Sequence, residues 1–406
     1  MKTSEQSFNE ARLINRHSSD TIEINDVEIQ ERLNDFHSGK DLLKIHALNY
    51  FMTILQTDNN DKIVKKYGND AIIYFIDLCQ YGSDEMQTPA LICLALCYRH
   101  RYINVNAINR APFIDFIIEN RLMRSIPESN AALSLLSILA SEKPKSIMNM
   151  LSHNLLGIVP NMPPQCNYGE LIDVILQQLH QQSAEVEIIV SLIPLLLNSP
   201  NPENVCHGIQ CIGLLITRNW NCFDFDAFHA NYPQFLISQD HLIASTAFNV
   251  LEKFPPNEAD LEAIFQVLKN GGDLAHFPIN YLTKTIEIWK KSPPPQLFGC
   301  LVECITKSKY SVINQAFSIM PASLCAPGIE LNDQIVNIIT QFIQDRTLAK
   351  RIVEVLCIIL DRIQASGDIG WFINEIVNYD TEIEEIATSG DEKASVFATK
   401  LLEVMQ

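Results

Sequence analysis

From Ile29 to the end of the chain, apolar residues recur three and four positions apart, and strand-like alternation is sustained nowhere. The pattern predicts helices almost throughout. Turn signals break it at intervals: QTDNND at Gln56, YGSDE at Tyr81, ASEKPK at Ala140, NMPPQ at Asn161, NSPNPE at Asn198, FPPNE at Phe254, KSPPPQ at Lys291 and CAPGIE at Cys325. The segments between these breaks are many and short. A single helical bundle would show fewer, longer ones.

One phrase returns. NSPNPENVCHGIQCIGLLITRN at Asn198 is echoed by SQDHLIASTAFNVLEKFPP at Ser238 and SGDEKASVFATKLLEVM at Ser389. Helix signals of this type begin near Lys40, Met86, Glu128, Asn167, Glu203, Asp240, Gly272, Lys309, Arg346 and Asp391, with spacings from 32 to 46 residues. A spacing near 40 built only from helices is the mark of a helical solenoid. The expected fold is all-α, a right-handed armadillo/HEAT-like helical solenoid of about ten repeats. Proline-marked turns favour armadillo over HEAT. A tetratricopeptide array would run at about 34 residues with a Trp, Gly and Tyr pattern that is missing here. In most units a small residue precedes a large apolar one by four positions: Ala47 and Phe51, Gly208 and Ile212, Ala244 and Phe248, Ala398 and Leu402. The small residue admits a neighbouring helix and the large one fills the layer between repeats. The phrase is thus expected to be the turn and long third helix of each repeat.

Composition narrows the class. Of 406 residues, 47% are hydrophobic and 19% charged, enough for a large core. The net charge of -18 disfavours attraction to nucleic acid or an anionic membrane and favours basic partners. No apolar run approaches the length of a membrane span, and MKTSEQSFNE lacks the apolar segment of a signal peptide. Eleven cysteines without a close-paired framework suggest buried free thiols in a reducing compartment, hence a cytoplasmic or nuclear protein. Residues 1–28 read as a flexible arm, 29–406 as the solenoid, and 371–406, with eight acidic residues and two lysines, as a capping repeat.

IPLLLNSPNPENVCHGIQCIGLLI resembles an armadillo repeat from its second helix into its third. HALNYFMTILQTDNNDKIVKKYGNDAIIYFIDL and FINEIVNYDTEIEEIATSGDEKASVFATKLLEVM resemble the first and closing repeats of the importin-α branch. That resemblance implies a concave groove lined, on many third helices, by a Trp and an Asn four residues apart. The corresponding positions here are Leu94 and Tyr98, Ser134 and Ile138, Val174 and Gln178, Gln210 and Leu214, and Thr246 and Val250. None is Trp or Asn, and Gln178 alone keeps the amide of an Asn position. Trp220, Trp289 and Trp371 fall elsewhere, and the basic autoinhibitory segment of that family is missing.

Local chemistry is sparse. Cys93, Cys97 and His100 share a helix face, as do Cys300 and Cys304; with Cys206, His207 and Cys211 they read as core rather than metal ligands. Gly271 and Gly272 read as a helix stop, without a nucleotide fingerprint. Arg99, His100, Arg101 and Arg110 form the main positive cluster. No catalytic motif and no cofactor is expected. Two functions follow. One is a non-enzymatic adaptor holding an extended, basic peptide in its groove, in its sharpest form a divergent nuclear-import adaptor with a β-type transport receptor as partner. The other is a cytoskeletal, GTPase-regulating or chaperone-cofactor scaffold that takes a partner helix on Leu94, Ile138, Leu214 and Val250.

Overall fold

The computed structural model describes residues 25–406 except 58–59, 100–104, 182, 221, 290–292, 366 and 368, and it leaves out the side chains of 60 and 286–289. The expected arm therefore lies outside the described residues up to position 24. At its end the Asn25 side chain accepts from the backbone N–H groups of Val27 and Glu28 and starts the first helix.

Among the described residues every regular element is helical. The first unit, Met1–Gly208, contains α1 (Asp26–Asp35), α2 (Asp41–Leu55), α3 (Asn60–Tyr81), α4 (Asp84–Arg99), α5 (Ala111–Asn120), α6 (Ile126–Glu142), α7 (Lys145–Ser152), α8 (Leu155–Ile158), α9 (Gly169–Gln178) and α10 (Ala184–Leu197). The helix α11 (Pro202–Thr217) carries the boundary. The second unit, Ile209–Gln406, adds α12 (Phe225–His229), α13 (Pro233–Leu236), α14 (His241–Leu251), α15 (Glu258–Asn270), α16 (His276–Trp289), α17 (Gln296–Lys307), α18 (Tyr310–Ser323), α19 (Asp333–Thr340), α20 (Ala349–Gln364), α21 (Gly370–Ile376), α22 (Asp380–Ala387) and α23 (Glu392–Met405).

Ten of these answer to the ten expected starts: α2, α4, α6, α9, α11, α14, α16, α18, α20 and α23. They form the rungs of a ladder. In the first unit α2 packs on α4, α4 on α6 and α6 on α9; in the second, α14 packs on α16, α16 on α18, α18 on α20 and α20 on α23. The fold is an α-helical repeat solenoid. The three-helix repeat needs correction, because between successive rungs lies sometimes one helix and sometimes two shorter ones. From Asn60 to Tyr81, for instance, no proline interrupts the pattern, and α3 runs unbroken.

The small-residue rule has a measurable basis. A Cβ on Gly208 would sit 2.9 Å from the Leu196 Cβ and 3.0 Å from Leu197 Cδ2. Ala47, Ala244 and Ala398 are buried, as are Phe51, Ile212 and Phe248. The last pair slips by one residue: Leu401 takes the core position and Leu402 is half-buried. Side chains also tie some repeats to the next. Asn130 Oδ1 accepts from the Asn167 N–H at 2.8 Å. Asn204 Oδ1 accepts from the Gly169 N–H at 2.9 Å while its amide donates to the Cys166 carbonyl at 2.8 Å. Ser308 Oγ accepts from the Gly272 N–H at 3.1 Å. These bonds supply partners for backbone groups that the start of a rung would otherwise leave bare.

Candidate functional site

On α6, α9 and α11 most of the circumference is packed and one stripe faces outward. On α6 the stripe includes Ser134 and Ile138, on α9 Val174 and Gln178, and on α11 Gln210 and Leu214. Gln178 and Gln210 are exposed, and the other four are half-buried. These six are the candidates that reach the surface. The remaining four do not. Leu94 and Tyr98 are wholly buried, and Thr246 and Val250 are 7% and 3% exposed. They pack the core and offer no surface to a partner. The outward positions are Ile92 and Leu96 on α4, and Ser245 and Asn249 on α14. The physical reason is angular. One residue turns a helix by about 100°, so a slip of one or two positions carries a side chain from the surface into the core.

The corrected register places Asn249 at an outward position that the sequence pattern had given to Val250. It borders a depression of about 240 Å³ lined by Phe248, Asn249, Glu252, Phe277, Asn280, Tyr281, Thr283 and Lys284. The floor is aromatic. Phe248 and Phe277 stack with centroids 6.4 Å apart at 17°, and Phe248 and Tyr281 are each 3% exposed. Burial, with the charges of Asp260 and Glu252, pushes the Tyr281 hydroxyl up to about 12, so it stays neutral. At the rim, Lys284 Nζ donates to Glu252 at 2.5 Å. The carboxamides of Asn249 and Asn280 are exposed and make no hydrogen bond among the described residues. Each offers a donor and an acceptor side by side, the pair a peptide main chain also presents.

Cations on the second unit's rungs are largely engaged. Lys309 meets Asp273 at 2.8 Å, Lys393 meets Glu354 at 2.7 Å, Lys350 meets Asp391 at 2.9 Å, and Lys400 pairs with Asp361. Arg351 donates to Asn314 at 2.7 Å. Such exposed pairs stabilise little individually. Their effect here is to leave the Asn249 and Asn280 carboxamides without a competing free cation among those named.

The other sequence candidates fall elsewhere. Cys93, Cys97, Cys206, Cys211, Cys300 and Cys304 are buried core residues, and no group of three or more His, Cys, Asp or Glu among the described residues could hold a metal. Burial pushes the Cys97 thiol up to about 12 and that of Cys300 up to about 11. Only Cys325 is exposed, with Cys222 intermediate. Native alkylation with iodoacetamide at pH 8 is therefore expected to modify Cys325 first, Cys222 more slowly, and the nine buried thiols only on unfolding, as read by peptide mass spectrometry. Trp220 is buried, Trp371 is half-buried, and the Trp289 side chain is outside the described set. Of the positive cluster, Arg99 and Arg110 are exposed, and His100 and Arg101 lie outside the described residues. In the acidic end, Glu375 and Glu382 accept from Asn337 and Gln344, while Glu384 and Glu385 stay exposed. Gly271 and Gly272, at φ +64° and +75°, stop α15 as their sequence suggested.

No family model and no curated protein sequence matches the chain. Among solved structures, the crystal structure of an engineered protein is similar with a TM-score of 0.54 at 14% identity, covering 94% of this chain and 99% of that one. A structure on tubulin recruitment by microtubule polymerases with TOG domain arrays aligns at 10% identity over 91% of this chain and 92% of that one, with a TM-score of 0.27. The first likeness concerns the fold alone.

Proposed function

We propose that this chain is a non-enzymatic protein-binding scaffold, and that the rung face of its second unit holds an extended segment of a partner. The observation that carries this reading is the pair of free carboxamides, Asn249 and Asn280, beside an aromatic-floored depression. A carboxamide can accept from a main-chain N–H and donate to the adjoining C=O, so it holds a backbone without dictating sequence. The net charge of -18 supports a basic partner. The nine buried thiols support a reducing, cytoplasmic or nuclear setting. In its sharpest form the scaffold is a divergent nuclear-import adaptor that also docks a β-type transport receptor. Ten rungs support that form, and the lack of stacking Trp residues implies a different cargo peptide from the usual one.

The test uses the full chain and a displayed library of random 12-residue peptides. Peptides selected on the native chain are expected to lose about 30- to 150-fold in affinity on the Asn249→Ala/Asn280→Ala double variant, from two hydrogen-bonding groups at about 1–1.5 kcal/mol each. The unfolding midpoint should stay within error, because both side chains are exposed. Selected peptides that bind the double variant as well as the native chain would remove the carboxamides from the reading.

A further inference from the structure

The first unit's rung face has a different chemistry. Its outward positions are Ile92 and Leu96 on α4, Ser134 and Ile138 on α6, and Val174 and Gln178 on α9. They fall in two rows, because Ile92, Ser134 and Val174 follow one another at 42 and 40 residues, as do Leu96, Ile138 and Gln178. Four of the six are aliphatic and half-buried. Toward the start of the same rungs stand Glu85 on α4 and Glu170 on α9, both exposed and without an ion pair among the described residues. The nearby Asn130 is not free to hold a main chain, since its Oδ1 already accepts from the Asn167 N–H.

We infer that this face docks an amphipathic helix of a partner, with the helix's apolar stripe on Ile92, Leu96, Ile138 and Val174 and a lysine- or arginine-bearing edge over Glu85 and Glu170. Spacing supports a helix. Packed helices lie about 8–10 Å apart, and seven residues of an α-helix rise about 10.5 Å, so a heptad stripe meets successive rungs in register. Breadth supports it too. The apolar surface is two rows deep, one helical turn apart, which suits a stripe about 100° wide rather than single side chains of an extended strand. Exposed Glu142, four residues past Ile138 on α6, also carries no ion pair among the described residues, so carboxylates stand at both ends of the rows and a basic helix edge finds one on either side. This surface is independent of the carboxamides of the second unit.

The probe is a synthetic 21-residue peptide with leucine at heptad positions a and d and lysine at e and g. Its control has the same composition scrambled to abolish the stripe. Binding to the full chain is followed by fluorescence anisotropy at two salt concentrations. The patterned peptide is expected to bind about tenfold tighter than the scrambled one, and Leu96→Glu with Ile138→Glu to abolish that difference. Glu85→Gln with Glu170→Gln, at exposed positions that do not threaten folding, is expected to weaken patterned binding about threefold to tenfold and to flatten its salt dependence. Equal binding of the two peptides would overturn the inference. So would an unchanged salt slope in the Glu85→Gln/Glu170→Gln chain, or no patterned binding at all.

Discussion

Replacing Glu128 with leucine is expected to cost the first unit about 3–5 kcal/mol. Glu128 and Arg121 are 6% and 3% exposed, and the Arg121 Nη1 donates to Glu128 Oε1 at 3.3 Å. Ser125 Oγ donates to the other carboxylate oxygen at 2.9 Å, and Arg121 Nη2 donates to Gln87. The guanidinium also lies 4.9 Å from the Phe116 ring centre. Removing the carboxylate alone strands a buried cation whose Nε already has no partner among the described residues. The double variant Arg121→Met/Glu128→Leu removes both charges and is expected to recover most of the loss. Urea unfolding followed by far-UV circular dichroism reads both. A single and a double variant equally unstable would mean that shape, not charge, is at stake. Burial pushes the Glu128 carboxyl up, but hydrogen bonds from Thr88 and Ser125 and the Arg121 charge outweigh it and hold it below its ordinary value. A carboxyl depressed in the folded state stabilises above its unfolded pKa, so this contribution is lost as the pH falls through the acid range.

His229→Ala is the second large effect, expected at about 2–3 kcal/mol in the second unit. Its Nε2 donates to Asp260 Oδ2 at 2.5 Å, and the Asp260 side chain is wholly buried. Asp260 also caps α15, accepting from the Asn257 N–H at 3.0 Å, while its Oδ1 has no partner among the described residues. Without the imidazole, a buried carboxylate keeps one backbone N–H and nothing else. Adding Asp260→Asn in the same chain removes the charge, keeps the cap acceptor, and is expected to restore part of the stability. Tryptophan emission suits the measurement because Trp220, Trp289 and Trp371 all lie in the second unit. No recovery in the double variant would count against a charge effect. His153, which meets Asp115 at 2.9 Å with both side chains a quarter or more exposed, supplies the contrast: its truncation is expected to cost under about 1 kcal/mol.

The period, the helical content and the ten rung starts were legible in the sequence, because a 3.6-residue apolar rhythm and proline-rich turns report directly on helices and their ends. Which face each rung turns outward was legible only where polar residues punctuate the helix. On α9 and α11 glutamines mark the stripe, and the expected residues lie on it, whereas on α6 the serines fall on both sides, Ser134 outward and Ser129 and Ser137 in the core. On α4 the run LICLALCY is apolar on every side, so nothing in it distinguishes Ile92 and Leu96 from the buried Leu94 and Tyr98. The division at Gly208 was not legible, because it falls inside α11 with no break in composition. Pairings such as Glu252 with Lys284 and Glu354 with Lys393 were also hidden, since they join residues 32 and 39 positions apart through tertiary packing.

Because rungs such as α6, α9 and α11 sort their residues into a packed majority and a single outward stripe, what they recognise and what holds them together are set by different positions. Substitutions on the stripe shift stability by only about 0.5 kcal/mol, whereas those behind it cost several times more. Such an architecture can drift through new specificities one rung at a time while its core stays unchanged, and a descendant reading another partner need differ at only a handful of surface sites.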